Sequence, residues 1–239
     1  MNSGRAAVPG RTVREIVVYT VLTGGYDRLR PGRGRAAWRC FTDGSAVGAT
    51  PWNLIPVPAC HTVDERIRQA RQIKLRPHAF LPPHKVSVWV DASIELRVSP
   101  KTLAAFVDRE DIATFAYPDT WGHRDGAYQE AAACIQRGKD DRSRIEAQMS
   151  RYRRCRFPER QGLAETGIVV RRDTPRVRMH SEAWWNEVKR GSRRDQLSFN
   201  YACWLTGNTY ALLPGSPNRT PLAVLHPHEF QVYGAAAHG

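Results

Sequence analysis

The sequence contains no C-x-x-C pair, and its five cysteines, at 40, 60, 134, 155 and 203, form an odd set. That pattern argues against a disulfide framework or a zinc–cysteine site. It predicts reduced thiols, mostly buried as small hydrophobes. No run approaches the ~20 apolar residues that cross a bilayer. The first 13 residues carry basic side chains but lack the apolar centre of a signal peptide. These absences lead us to expect a cytoplasmic protein. No Gly-x-Ser-x-Gly elbow, P-loop, internal repeat or low-complexity block occurs, and Gly24-Gly25 alone is not a dinucleotide fingerprint. Acidic residues are scarce: 23 Asp and Glu against 36 Lys and Arg leave a net charge of +13.

The chain has 239 residues, 41% of them hydrophobic, with seven Trp. It suits one α/β domain or two very small ones, and it can bury a core without a disulfide or metal staple. The positive excess fits nucleic acid, an anionic membrane surface or anionic small ligands. Nearly all of it is Arg, a bias that a genome rich in G and C also produces. The basic residues scatter instead of forming one arm, and no nucleic-acid module is recognisable, so no nucleic-acid partner is expected.

Residues 15–22 form a β-branched, apolar run that stops at Thr23-Gly24-Gly25, which predicts a buried strand and a glycine turn. Further strands are expected at 37–41, 53–57, 85–91, 112–117, 167–172 and 209–213. Thr62 and Glu65 make a capping box for a helix over 63–74. Other helices are expected at 100–108, 126–137, 141–155 and 181–190, with one capped by Ser192 and running to about 205. Strands alternating with helices imply an α/β fold with a mostly parallel central sheet flanked by helices. Ligands in such sheets sit at the carboxyl ends of strands. Thr23-Gly24-Gly25, Asp43 and Asp91 fall at those ends.

Asp91-Ala92-Ser93 follows a buried apolar strand. A carboxylate there is costly unless paired or bound to a metal, and nucleotide-sugar enzymes use such a group to hold a divalent ion on the donor diphosphate. Ser93 stands where the usual Asp-x-Asp pattern has its second acid, so a strand-end Asp capping a turn is the other reading. Arg71 and Lys74 lie three apart on one helix face and are either phosphate ligands or a solvated basic face. Asp195 stands three residues after Ser192, as in a capping box, and Asp195 and Gln196 also fit a pocket at a helix N-terminus; both readings can hold at once. His226 and His228 share one face of an extended chain and are either metal ligands or surface residues.

Seven stretches in order resemble one family. They are Val18 to Asp27, Phe41-Thr42-Asp43, Arg71 to His78, Val88 to Ile94, Tyr128-Gln129-Glu130-Ala131, Gly162 to Gly167 and Arg193 to Tyr201, within residues 16–206. The family is glycosyltransferase-like, was first catalogued as a domain of unknown function, and includes plant pectin galacturonosyltransferases. The resemblance implies a single GT-A-like (nucleotide-diphospho-sugar transferase) domain over 15–213, between a flexible basic tail at 1–14 and a C-terminal extension at 214–239. It implies transfer from a nucleotide-sugar, a UDP-sugar, with retention, to a glycan or lipid-linked glycan. That places Thr20, Thr23, Tyr26 and Asp43 at the nucleotide, and Arg71 and Lys74 at the diphosphate. Asp91, Ser93 and His226 become candidates for a divalent metal (Mn or Mg). Glu165, Asp195 and Gln196 surround the transferred sugar or acceptor. Peripheral association with the inner face of an anionic membrane is compatible with the charge. Where the family carries a His-Pro pair, this chain has Tyr117-Pro118 and His123-Arg124. Two alternatives stay open: a basic nucleic-acid-binding protein, and a catalytically silent relative acting as an interaction module.

Overall fold

The computed structural model describes residues 14–46 and 48–228. Most of the expected basic tail, residues 1–13, lies outside the described residues, as do 229–239 of the expected C-terminal extension. The β-branched run forms strand β1 (Arg14–Leu22). Along it Val17, Tyr19 and Val21 enter one core layer while Val18 enters the other, the period of two that a two-faced sheet demands. Strands β2 (Ala37–Thr42) and β3 (Asn53–Pro56) follow. Helix α1 (Val63–Leu75) comes next, with both halves of its Thr62–Glu65 capping box formed. The single turn α2 (Pro77–Phe80) leads into β4 (His84–Val90), and β5 (Ile94–Leu96) lies beyond Asp91. Helix α3 (Pro100–Ala104) tightens into a 3-10 turn at Ala105–Val107, ahead of β6 (Ile112–Ala116). Helices α4 (Ala127–Gln136) and α5 (Arg142–Arg154) precede β7 (Ala164–Arg172). The chain continues through α6 (Pro175–Arg190), α7 (Gln196–Thr206), β8 (Ala211–Leu212) and β9 (Ala223–Leu225).

The main sheet has seven strands in the order β3-β2-β1-β4-β7-β6-β8. All its pairings are parallel except those of β7 with β4 and with β6. This is the mostly parallel, helix-flanked α/β sheet of a single GT-A-like domain. One face packs on α1, α6 and α7 around Tyr19, Trp89, Trp184 and Phe199. The other packs on the α3 segment, where Leu103 and Val107 meet Val18, Val88 and Val170. A satellite core joins α4, α5 and α7 around Tyr152 and Tyr201, whose rings stack 3.8 Å apart. All five thiols are free, and Cys40, Cys134 and Cys203 are buried. No helix among the described residues is long and apolar enough to cross a membrane.

Several boundaries depart from the sequence reading. Helix α6 starts at Pro175, six residues before the expected 181, because Thr174 caps Val177 N and Pro175 fits the first helical position. The β7 strand starts three residues early, at Ala164. Helix α7 starts at Gln196 instead of directly after Ser192. Ser192 Oγ donates to Asp140 Oδ2 at 2.6 Å and accepts from Arg194 N at 3.1 Å, so it shapes the preceding turn. Within the stretch read as an extension, β9 pairs antiparallel with β5 and buries Leu222 and Ala223.

A buried arginine fixes the end of α1. Arg171 on β7 is fully buried and donates to Leu75 O at 3.2 Å and Lys74 O at 2.6 Å. Tyr19 Oη also donates to Lys74 O, at 2.6 Å. These bonds satisfy carbonyls that a helix end leaves orphaned. They also set the position from which the Lys74 side chain starts.

Candidate active site at the carboxyl ends of the strands

Helix side chains lean toward the helix N-terminus. Lys74, next to last in α1, therefore reaches up along the sheet toward the carboxyl end of β4. Only 1% of it is exposed. Its Nζ lies 2.8 Å from Asp195 Oδ2, 3.6 Å from Asp91 Oδ1 and 3.1 Å from Thr166 Oγ1, with the Trp89 ring centroid at 5.4 Å. Arg71, one turn earlier, places Nε 2.9 Å from Asp195 Oδ1. Thr166 Oγ1 lies 3.1 Å from Asp195 Oδ2, and Trp184 Nε1 donates to Asp195 O at 2.8 Å. The Asp195 carboxylate is thus turned inward onto two cations; it does not cap α7, where no side-chain cap bond forms. Burial alone would raise its pKa, but Arg71 and Lys74 more than offset that and hold the carboxyl well below the ordinary range.

Asp91 accepts from Trp89 Nε1 at 2.7 Å, and its backbone N–H donates to Gly167 O at 2.8 Å, joining the ends of β4 and β7. Glu165 sits at the start of β7, partly buried, with Oε2 accepting from Gly167 N at 3.0 Å. Burial pushes its carboxyl up to about 7, and the negative charges of Asp91 and Asp195 add to the rise. Beside it lies a cleft of about 220 Å³ whose lining includes Tyr117, Trp121, Glu130, Glu165, Arg194 and Gln196. Gln196 Nε2 donates to Ala164 O at 2.9 Å, which holds the amide at the cleft wall. The cleft's far side is braced by Arg124, whose Nε lies 3.1 Å from Glu130 Oε2.

At the end of β1 the chain turns through Gly24 and Gly25 with φ of +73° and +63°, a region that favours glycine. Gly24 N donates to Asp43 Oδ2 at 2.8 Å, and the Ser45 hydroxyl donates to Asp43 Oδ1 at 2.6 Å. Burial acts to raise the Asp43 pKa, but the Ser45 hydroxyl and the Gly24 and Ser45 amides hold it below its ordinary range. Thr20 and Thr23 are buried beneath this turn, and the Thr20 hydroxyl has no partner among the described residues. Tyr26 lies against His228, ring centroids 6.0 Å apart.

The structure therefore brings Arg71, Lys74, Asp91 and Asp195 into one network, with Glu165 and Gln196 at the adjoining cleft and Asp43 at the glycine turn. It does not gather Asp91, Ser93 and His226 into one set. Ser93 O accepts from His226 N at 2.8 Å, while His226 Nε2 turns to Glu95 Oε2 at 3.1 Å. Among the described residues, no three of His, Cys, Asp and Glu are placed to hold an ion. Asp91 Oδ1 already faces an indole N–H and an ammonium. These residues do not fit a divalent metal cage. Sequence reading missed Trp89, Thr166, Trp184 and the cleft aromatics. It singled out His228 but missed its partner: Nδ1 lies 2.8 Å from Asp27 Oδ2, a contact that raises the His228 pKa. Trp89 lies on β4 two residues before Asp91, the one signal that marked it in advance.

A family model described as the TOD1/MUCI70, glycosyltransferase-like domain matches residues 37–212. The chain belongs to that family. A curated relative from Arabidopsis thaliana, named probable hexosyltransferase MUCI70, is 30% identical over 158 residues, covering 62% of this chain and 27% of the relative. The chain thus spans about a quarter of the length of the curated relative it matches. The matched TOD1/MUCI70 residues include Asp43, Arg71, Lys74, Asp91, Glu165, Asp195 and Gln196. The central network therefore lies within the family's own domain.

Proposed function

We propose that this protein is a glycosyltransferase that moves a sugar, a hexose or a uronic acid, from a UDP-sugar to a glycan or lipid-linked glycan, with retention. The observation that carries this reading is the Arg71–Lys74–Asp195–Asp91 network, with Lys74 and Asp195 buried, at the carboxyl ends of parallel strands, in a chain of a glycosyltransferase-like family. Donors in open α/β sheets bind at that edge. Asp43 sits where it can accept a hydrogen bond from the ribose or base of the nucleoside, with Thr20, Thr23 and Tyr26 nearby. Arg71 and Lys74 hold Asp195 ionised and in place beside the sugar. Gln196 and Glu165 line the cleft through which an acceptor enters, and Glu165, with a pKa near 7, takes the acceptor's proton as general base.

A thermal-shift panel of UDP, GDP, CMP and their common sugar conjugates tests the donor class. At ~100 times its dissociation constant the cognate nucleotide is expected to stabilise the fold by about 2.7 kcal/mol. A flat response to every nucleotide, in manganese and in chelator alike, would leave the silent-relative or basic-surface readings in its place.

A further inference from the structure

Helix α1 presents four cations: Arg66, Arg68, Arg71 and Lys74. Three are committed inside the protein. Arg68 Nε lies 2.8 Å from Asp64 Oδ2, and its two terminal nitrogens donate to Val188 O at 2.5 Å and Gly191 O at 3.2 Å. Arg71 and Lys74 hold Asp195. The Arg66 guanidinium makes no ion pair and no hydrogen bond among the described residues. It instead lies against the Gly24 turn, so closely that a Cβ built on Gly24 would fall 1.9 Å from Arg66 Nη1. The turn needs glycine for its positive φ, and the bare Cα leaves room for the guanidinium as it lies here.

A partly exposed guanidinium with no carboxylate partner, held against backbone, offers its planar fork of N–H donors to an anion. Its location says which anion. The same turn donates Gly24 N to Asp43 Oδ2, the carboxylate assigned above to the nucleoside. Five residues further along α1, Arg71 meets Asp195, assigned above to the sugar. The diphosphate of a nucleotide-sugar joins those two ends, and Arg66 lies at the nucleoside end, against the turn that holds Asp43. The other route to neutralising a diphosphate, a divalent ion held by carboxylates, finds no group of three His, Cys, Asp or Glu placed for it among the described residues.

We propose that Arg66, and neither the Arg71–Lys74 pair nor a carboxylate-held divalent cation, is the protein's ligand for the donor diphosphate. This rests on the nucleotide-sugar reading above. The test is calorimetric titration of the full chain with UDP and GDP, in EDTA and in manganese. The variants are Arg66→Ala, Arg66→Lys and, as a distant exposed control, Arg154→Ala. Arg66→Ala is expected to weaken the bound nucleoside diphosphate about ten- to a hundredfold, the range for a lost hydrogen bond to a charged group. Arg66→Lys should recover part of that, Arg154→Ala should bind like wild type, and EDTA should change nothing. Unaltered affinity in Arg66→Ala overturns the proposal while leaving the donor reading intact, as does equal weakening in Arg154→Ala or loss of wild-type binding in EDTA. A wild-type chain that binds neither nucleotide removes the donor reading, and this proposal with it.

Discussion

Replacing Lys74 with methionine is expected to destabilise the fold by about 3 kcal/mol, near the lower end of the range for breaking a buried ion pair. The ammonium is 1% exposed and stands between Asp195 at 2.8 Å and Asp91 at 3.6 Å. Removing it leaves Arg71 to compensate Asp195 and leaves Asp91 with the Trp89 indole alone. Urea unfolding at pH 7 measures the loss as a lower midpoint with an unchanged slope. The double variant Lys74→Met/Asp195→Asn should lose less than the sum of the single variants, because the second change removes the charge that the first left unpaired. The acid limb gives an independent check. The Asp195 carboxyl is held below its unfolded value in the native state, so its contribution is present above the unfolded pKa and fades as pH falls from about 5 downward. In Lys74→Met that acid limb should be shallower. A loss under about 1 kcal/mol, typical of exposed pairs, would show that the cation is not the buried counter-charge of this network.

This network also shows where sequence reading stops. The β1 and β4 strands were legible because their apolar runs are long and end in Gly24-Gly25 and Asp91, and α1 was legible from its capping box. The strand-end location of Asp43 and Asp91 followed from those elements alone. What stayed hidden depends on residues far apart in the chain. Arg71 and Lys74 were visible as a cationic pair, but Asp195, more than 100 positions on, converts them from phosphate ligands into internal counter-charges. The same contact explains why the Ser192–Asp195 spacing forms no capping box. A cap bond at an exposed helix start stabilises by about 1 kcal/mol, whereas a buried carboxylate facing two cations is far more costly to turn away. The first residues of β7 escaped because Glu165 and Thr166 break the apolar pattern, Thr166 meeting Lys74 and Asp195 and Glu165 lining the cleft. Likewise β9 is three residues long and is recognisable only through its partner β5. Nothing in the sequence separates Arg66 from the other cations of α1; only the closeness of its guanidinium to Gly24 does.

Glu165→Gln is expected to lower turnover about 10²–10⁴-fold, the range for loss of a positioned general base, while leaving nucleotide affinity near wild type. Release of UDP from a UDP-sugar in the absence of acceptor is a sufficient readout, because water replaces the acceptor hydroxyl. The wild-type rate should rise with pH to a plateau above about 7, where Glu165 is ionised, and the variant's residual rate should lack that rise. Stability supplies a second readout of opposite sign to that of Asp195. The pKa of Glu165 is raised on folding, so between about 4.5 and 7 the unfolded chain loses its proton first. Each step up in pH across that window therefore favours unfolding, and the cost is complete above 7. Glutamine carries no proton to lose, so Glu165→Gln should lack this slope and gain on the order of 2 kcal/mol at pH 8. A slow variant that is more stable is the signature of a group held in an unfavourable state for chemistry. A variant that is slow and also less stable would point to a structural role through the Gly167 hydrogen bond. One that keeps full turnover would remove Glu165 from the mechanism.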